Sequence, residues 1–149
     1  MNPADLAERW LGVQEVAGKA SNPDVLRMLQ LDASWPTGDD VPWCSAFVNF
    51  IAYACRLQRA RSLRARSWLL VGAPVPLAGA RRGDVVVLTR GQDTRGPDII
   101  DAPGHVGFFE VRVGQGIAIV GGNQGDAVTV AIYPVERVLG VRRLTELEV

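Results

Sequence analysis

The chain has 149 residues, 48% of them hydrophobic and 21% charged, with 16 basic side chains against 16 acidic ones. That length is enough for one ordinary domain to bury a core without disulfides or metal. The charge balance excludes intrinsic disorder and gives no basic footprint for nucleic acid. All but Lys19 of the basic residues are arginine, and the run from Arg56 to Arg66 reads as a solvated face.

One domain over 1–149 is expected, with a helical part at 1–34 and the core at 35–149. The N-terminal Met1-Asn2-Pro3-Ala4-Asp5 lacks the basic and apolar regions of a secretory signal, and no stretch is long enough to span a bilayer. A cytoplasmic protein, or one exported by a route without a signal peptide, is the expectation.

Asn2-Pro3 is a helix start, and Leu6, Trp10, Val13 and Val16 recur at helical spacing until Gly18. Ser21-Asn22-Pro23 opens a second, short helix through Val25, Leu26, Met28 and Leu29. Residues 32–41 read as loop, and Asp39 and Asp40 are placed to cap the helix that follows. That helix, Cys44 to Cys55, is nearly all apolar. Ala65 to Leu70 reads as another short helix ending at Gly72, with Pro74 and Pro76 breaking the pattern beyond it.

From residue 80 the period becomes extended. Strands are predicted over 85–88, 105–111, 116–120, 128–133 and 138–144. Residues 90–104 form a long polar connection of the kind that often rims a cleft. Helices first and strands afterwards argue for an α+β fold, an antiparallel sheet packed on the cysteine helix.

Cys44 falls in the first turn of its helix, where unpaired N–H groups and the helix dipole favour a thiolate. Ser45 and the preceding loop suggest that this turn is exposed, so Cys44 is expected to alkylate faster than Cys55. If the helix is continuous, the two cysteines are roughly 16 Å apart, beyond disulfide reach. The lone histidine, His105, heads a strand and is the single imidazole able to serve as base.

A hairpin turn centred on Gly114 sets His105 opposite Asn123, and a half-residue slip sets it opposite Gln124. Either amide would lie roughly 4.5–5.5 Å away at Cβ, close enough to fix the ring tautomer. One histidine and two distant cysteines make a poor zinc set. Asp93, Asp98 and Asp101 lack the alternating spacing of a calcium loop, so no metal is expected.

The blocks Pro42-Trp43-Cys44-Ser45-Ala46-Phe47-Val48-Asn49, Ala65-Arg66-Ser67-Trp68, Gly83-Asp84-Val85-Val86-Val87, Gly104-His105-Val106-Gly107-Phe108 and Gly121-Gly122-Asn123-Gln124 together resemble the CHAP and NlpC-type cell-wall hydrolases, including phage-associated members. The resemblance covers roughly 35–144 and implies a papain-like fold without cofactor or metal. It also implies hydrolysis of peptidoglycan amide bonds, with Cys44 as nucleophile, His105 as base and then acid, and Asn123 as orienting residue.

Asp40, Trp43 and Gln124 are the candidates for oxyanion or substrate contacts. No Gln or Asn precedes Cys44 where papain-like enzymes place an oxyanion donor, and Gly121 stands where many CHAP relatives carry Glu. A stem peptide is the implied partner, for a monomeric lysin or exported toxin acting on the wall, with an inhibitor or immunity protein in the toxin case. The rival reading is a non-catalytic wall-binding or phage-tail module of the same fold.

Overall fold

A computed structural model describes residues 1–14, 23–29, 31 and 43–148, apart from the side chain of Leu26. Helix α1 (Pro3–Glu8) starts where Asn2 Oδ1 accepts the Ala4 N–H at 2.8 Å, with Pro3 in the first turn. It is shorter than its periodicity predicts. The chain leaves the helix after Glu8 and reverses at Gly12, whose φ is 93°.

Val13 and Gln14 then run extended. The Gly12 N–H donates to Val128 O, the Val128 N–H donates to Val13 O, and Gln14 bridges Ala127. Pairing with a sheet segment outcompetes a short helix of marginal intrinsic stability. Val16, Gly18, Ser21, Asn22 and the loop 32–41 lie outside the described residues.

Helix α2 (Pro23–Leu29) buries Val25, Met28 and Leu29 completely, and it packs with α1 on helix α3 (Cys44–Ala54). α3 is the central helix. Residues 44–49, 51 and 52 are buried, while Tyr53 and Ala54 emerge at its far end. Its two polar interior residues tie down the chain that follows. Asn49 Nδ2 donates to the Ser45 and Ser62 carbonyls, and its Oδ1 accepts the Arg61 N–H at 3.0 Å. Ser45 Oγ donates to Ser62 O and accepts the Trp68 Nε1–H at 2.9 Å. Residues Ala65–Leu70 form a 3-10 helix.

The six strands are β1 (Ala73–Val75), β2 (Val85–Thr89), β3 (Gly104–Val113), β4 (Gly116–Gly121), β5 (Thr129–Pro134) and β6 (Val138–Arg143). They make one antiparallel sheet in the order β1-β6-β2-β3-β4-β5. The five predicted strands are present to within a residue or two. β1 was not predicted, because Pro74 reads as a breaker. It is tolerated since β1 is an edge strand paired on one side only.

β3 and β4 contain both registers of the predicted hairpin. Phe108 pairs with Val120 and Phe109 with Ile119, then Glu110 is skipped and Val111 pairs with Ala118. The extra residue is a β-bulge. Glu110 is held there by Arg82, whose guanidinium also reaches Asp5 and Glu8 of α1.

One sheet face packs on α3 through Val85, Val87, Val106, Phe108 and Val120. The other buries Val86, Leu88, Phe109, Ile117 and Ile119 in a smaller cluster. The turn after β4 closes directly on α3, since a Cβ at Gly122 would lie 2.7 Å from the Trp43 ring and 2.8 Å from Phe47 Cβ. Gly122→Ala is therefore expected to destabilise the protein by about 1–3 kcal/mol, the range for overpacking a filled core. Urea unfolding of the variant against the parent measures it.

Candidate active site

β4 ends at Gly121, one residue before it would reach a position opposite Val106. Phe109 exchanges backbone hydrogen bonds with Gly83 and Asp84 on the β2 side. Alternation along the strand then turns the Val106 N–H the other way, toward the position β4 has vacated. The sulfur of Cys44 lies near that position. The N–H groups of Val106, Ser45 and Cys44 itself all act on it.

The nucleophile candidate thus sits against the peptide joining His105 to Val106. Strand parity puts His105 itself on the face it shares with Leu88, Gly107 and Phe109. Among the described residues no hydrogen bond joins Cys44 Sγ to the imidazole.

The ring meets Gln124. Its Nε2 lies 2.8 Å from Gln124 Oε1, with both side chains buried. The amide orientation follows from its other partners. Gln124 Nε2 is 2.8 Å from the Thr129 carbonyl, which can only accept, so the amide nitrogen faces Thr129 and the oxygen faces the ring. Tyr133 Oη donates to the same Oε1 at 3.1 Å. An acceptor opposite Nε2 places the ring proton on Nε2 and leaves Nδ1 as the basic atom.

The rest of the turn explains why this amide is chosen. A side chain at Gly121 would begin 3.0 Å from Gln124 Oε1, so Gln124 reaches back into the volume that residue leaves free. Asn123 has φ 57° in the turn that carries Gln124 inward, and its side chain makes no hydrogen bond among the described residues.

Burial sets the protonation states. Removal from water pushes the Cys44 thiol up, against the three N–H groups and the charge of Arg90. It also pushes His105 down to about 4, joined by the charges of Arg90 and Arg137 and opposed by the Gln124 bond. The thiolate expected at a helix start is therefore not the resting form. Ser45 does not mark an exposed turn either, because Ser45 is fully buried and Cys44 is 2% exposed. Trp43, expected near substrate, is wholly buried against Gly122, and its Nε1 has no partner among the described residues. Asp40 lies outside the described residues.

Cys44 lines a cleft of about 240 Å³ together with Leu63, Arg64 and Ala65, with Asp101, Ala102, Pro103 and Gly104 as a second wall, and with Arg90. The second wall belongs to the long loop after β2, and Arg66 holds it. This guanidinium is fully buried. It donates to the carbonyls of Pro103 at 3.0 Å and of Arg95 and Gly96 at 2.7 Å, and faces Asp93 at 3.8 Å. Arg95 also pairs with Asp93 and draws its carboxyl down to about 2. Sequence reading missed Arg66 as a loop anchor. A larger hollow of about 470 Å³ between Tyr53 and Leu147 lies at the opposite end of α3, away from the sulfur.

No protein-family model and no curated protein matches the sequence. Among solved structures, the chain is similar to an NlpC/P60 family protein from Bacillus cereus, with a TM-score of 0.53 and 16% identity over 95% of this chain and 39% of that one. At that identity the likeness is one of fold, helices and an antiparallel sheet in the arrangement seen there. The chain spans well under half the length of that protein.

Two predictions follow from the burial. The folded ring stays neutral down to a pH of about 4, whereas the unfolded chain takes up a proton near 6.5. Stability is therefore fully present above pH 6.5 and falls as the pH drops toward 4, by about 3 kcal/mol in all. Urea titrations across that window should show the decline in the parent and its loss in His105→Phe. For the thiols, iodoacetamide at neutral pH should modify the half-buried Cys55 before Cys44, reversing the order expected from helix position. Peptide mapping after timed quenching reads this order.

Proposed function

We propose that the protein is a papain-like cysteine peptidase or amidase hydrolysing amide bonds in the stem peptides of bacterial peptidoglycan. What supports this reading is one arrangement: the Cys44 sulfur against the 105–106 peptide, and an imidazole whose tautomer is set by Gln124. It is built at a helix start and a strand end, on a fold shared with an NlpC/P60 protein.

In the forward step the Cys44 S–H proton passes to His105 Nδ1 as sulfur attacks the substrate carbonyl. The resting pair is neutral, so charge separates only during attack. The oxyanion accepts from N–H groups in the first turn of α3, which have no intrahelical acceptor. Collapse breaks the C–N bond, and the departing amine takes the Nδ1 proton. Water then attacks the thioester, gives its proton to Nδ1 and releases the acid, and sulfur recovers its hydrogen. Gln124 acts as the positioning residue, holding the ring so that Nδ1 stays the base.

A non-catalytic wall-binding module is the second reading, favoured by the buried neutral thiol without a bond to the ring. The two separate cleanly. Cys44→Ala should abolish release of soluble fragments from purified peptidoglycan while the protein still sediments with it. Gln124→Ala should lower kcat about a hundredfold, whereas Asn123→Gly, which suits the same φ, should leave it near the parent's. Fragment release by Cys44→Ala equal to the parent's overturns the mechanism.

A further inference from the structure

The cleft over Cys44 is unevenly charged. Arg64, Arg90 and Asp101 are its ionised lining residues. Arg64 and Asp101 are hydrogen bonded to each other across the cleft, so their charges offset. The neighbouring Asp93 is taken by Arg95 and Arg66. Arg90 remains. It is exposed on the rim just beyond β2, its carbonyl accepts the Asp93 N–H, and its guanidinium has no ion pair or hydrogen bond among the described residues. Its charge acts on Cys44, His105 and Tyr133 alike.

We infer that Arg90 selects the substrate by binding a carboxylate carried close to the scissile amide, so that the protein acts on acidic peptides in preference to amidated ones. The inference rests on the hydrolase reading above and names the substrate class of that site. A guanidinium is matched in shape and charge to a carboxylate, and a charge-assisted pair of this kind is among the stronger polar contacts available. The same rim already holds one such pair in Arg64 and Asp101.

A role as oxyanion donor fits Arg90 less well. Such a donor must be preorganised and hydrogen bonded to the reacting oxygen. Arg90 is solvent-exposed, and it reaches the sulfur through its field and not through a hydrogen bond. The wall facing it is fixed, because buried Arg66 holds the carbonyls of residues 95, 96 and 103.

The test uses a synthetic stem peptide with free side carboxylates and the same peptide with those groups amidated. The parent should cleave the acidic form with a kcat/KM higher by about tenfold, the gain lying in KM. In Arg90→Gln the two values should converge, and Arg90→Glu should favour the amidated form. Equal cleavage of both peptides by the parent overturns the inference while leaving the hydrolase reading intact. An equal fall in kcat on both peptides in Arg90→Gln also overturns it, by making Arg90 an oxyanion donor.

Calorimetry with Cys44→Ala separates the two levels. If the parent cleaves neither peptide yet Cys44→Ala binds the acidic one and Cys44→Ala/Arg90→Gln does not, the anion site stands and the hydrolase reading fails. Absence of both cleavage and binding overturns both.

Discussion

The site depends on where one strand stops. Had β4 continued past Gly121, its next residue would have taken the Val106 N–H, and α3 could not have brought a sulfur there. Ending the strand leaves a donor without a ladder partner at the edge of the core, and buried donors are rarely left unpaired. Three features of the following turn exploit the gap. Gly121 leaves space for an incoming amide, Gly122 lets the Trp43 and Phe47 end of α3 close down, and Gln124 folds back to meet His105. A ladder position given up by the sheet becomes the place where helix, strand and turn converge.

Burial then decides the electrostatics. A helix start and three N–H groups all favour a thiolate on Cys44, yet loss of water outweighs them, and the same loss keeps His105 neutral. The effects of a helix terminus are typically a fraction of a kcal/mol to about 2 kcal/mol, whereas desolvating a charge costs several. A neutral pair in a dry site is the cheaper resting state. The positive surroundings, Arg90 and Arg137 about the ring, disfavour an imidazolium in the free protein. In the proposed reaction an anionic substrate in the cleft would oppose that field at the same arginine.

Much of the sheet was legible because β-branched runs and turn residues alternate cleanly after residue 80. The hairpin arithmetic offered Asn123 or Gln124 and could not separate them: on the His105 side of the bulge at Glu110 the register points to Asn123, and Gln124 meets the ring instead because of where β4 ends. Neither leaves a mark in periodicity. β1 is three residues with a proline, below the length at which a pattern is visible. The early end of α1 reflects pairing of residues 12–14 with the segment before β5, a contact between chain positions more than a hundred residues apart.

The polar residues that build the cleft were the least legible, for a physical reason. Asn49 and Ser45 sit in an apolar helix, and Arg66 sits in a run of arginines that reads as solvated surface. All three are fully buried. What they do is satisfy backbone groups of segments that have no ladder of their own. Ser45 and Asn49 take the chain around 61–62, and Arg66 takes three carbonyls of the 95–103 connection. An irregular segment that packs against a core needs partners for its carbonyls and N–H groups, and water cannot supply them there. Each buried polar side chain replaces the missing secondary structure on one side of Cys44, so both walls of the cleft are held by groups that hydropathy alone would assign elsewhere.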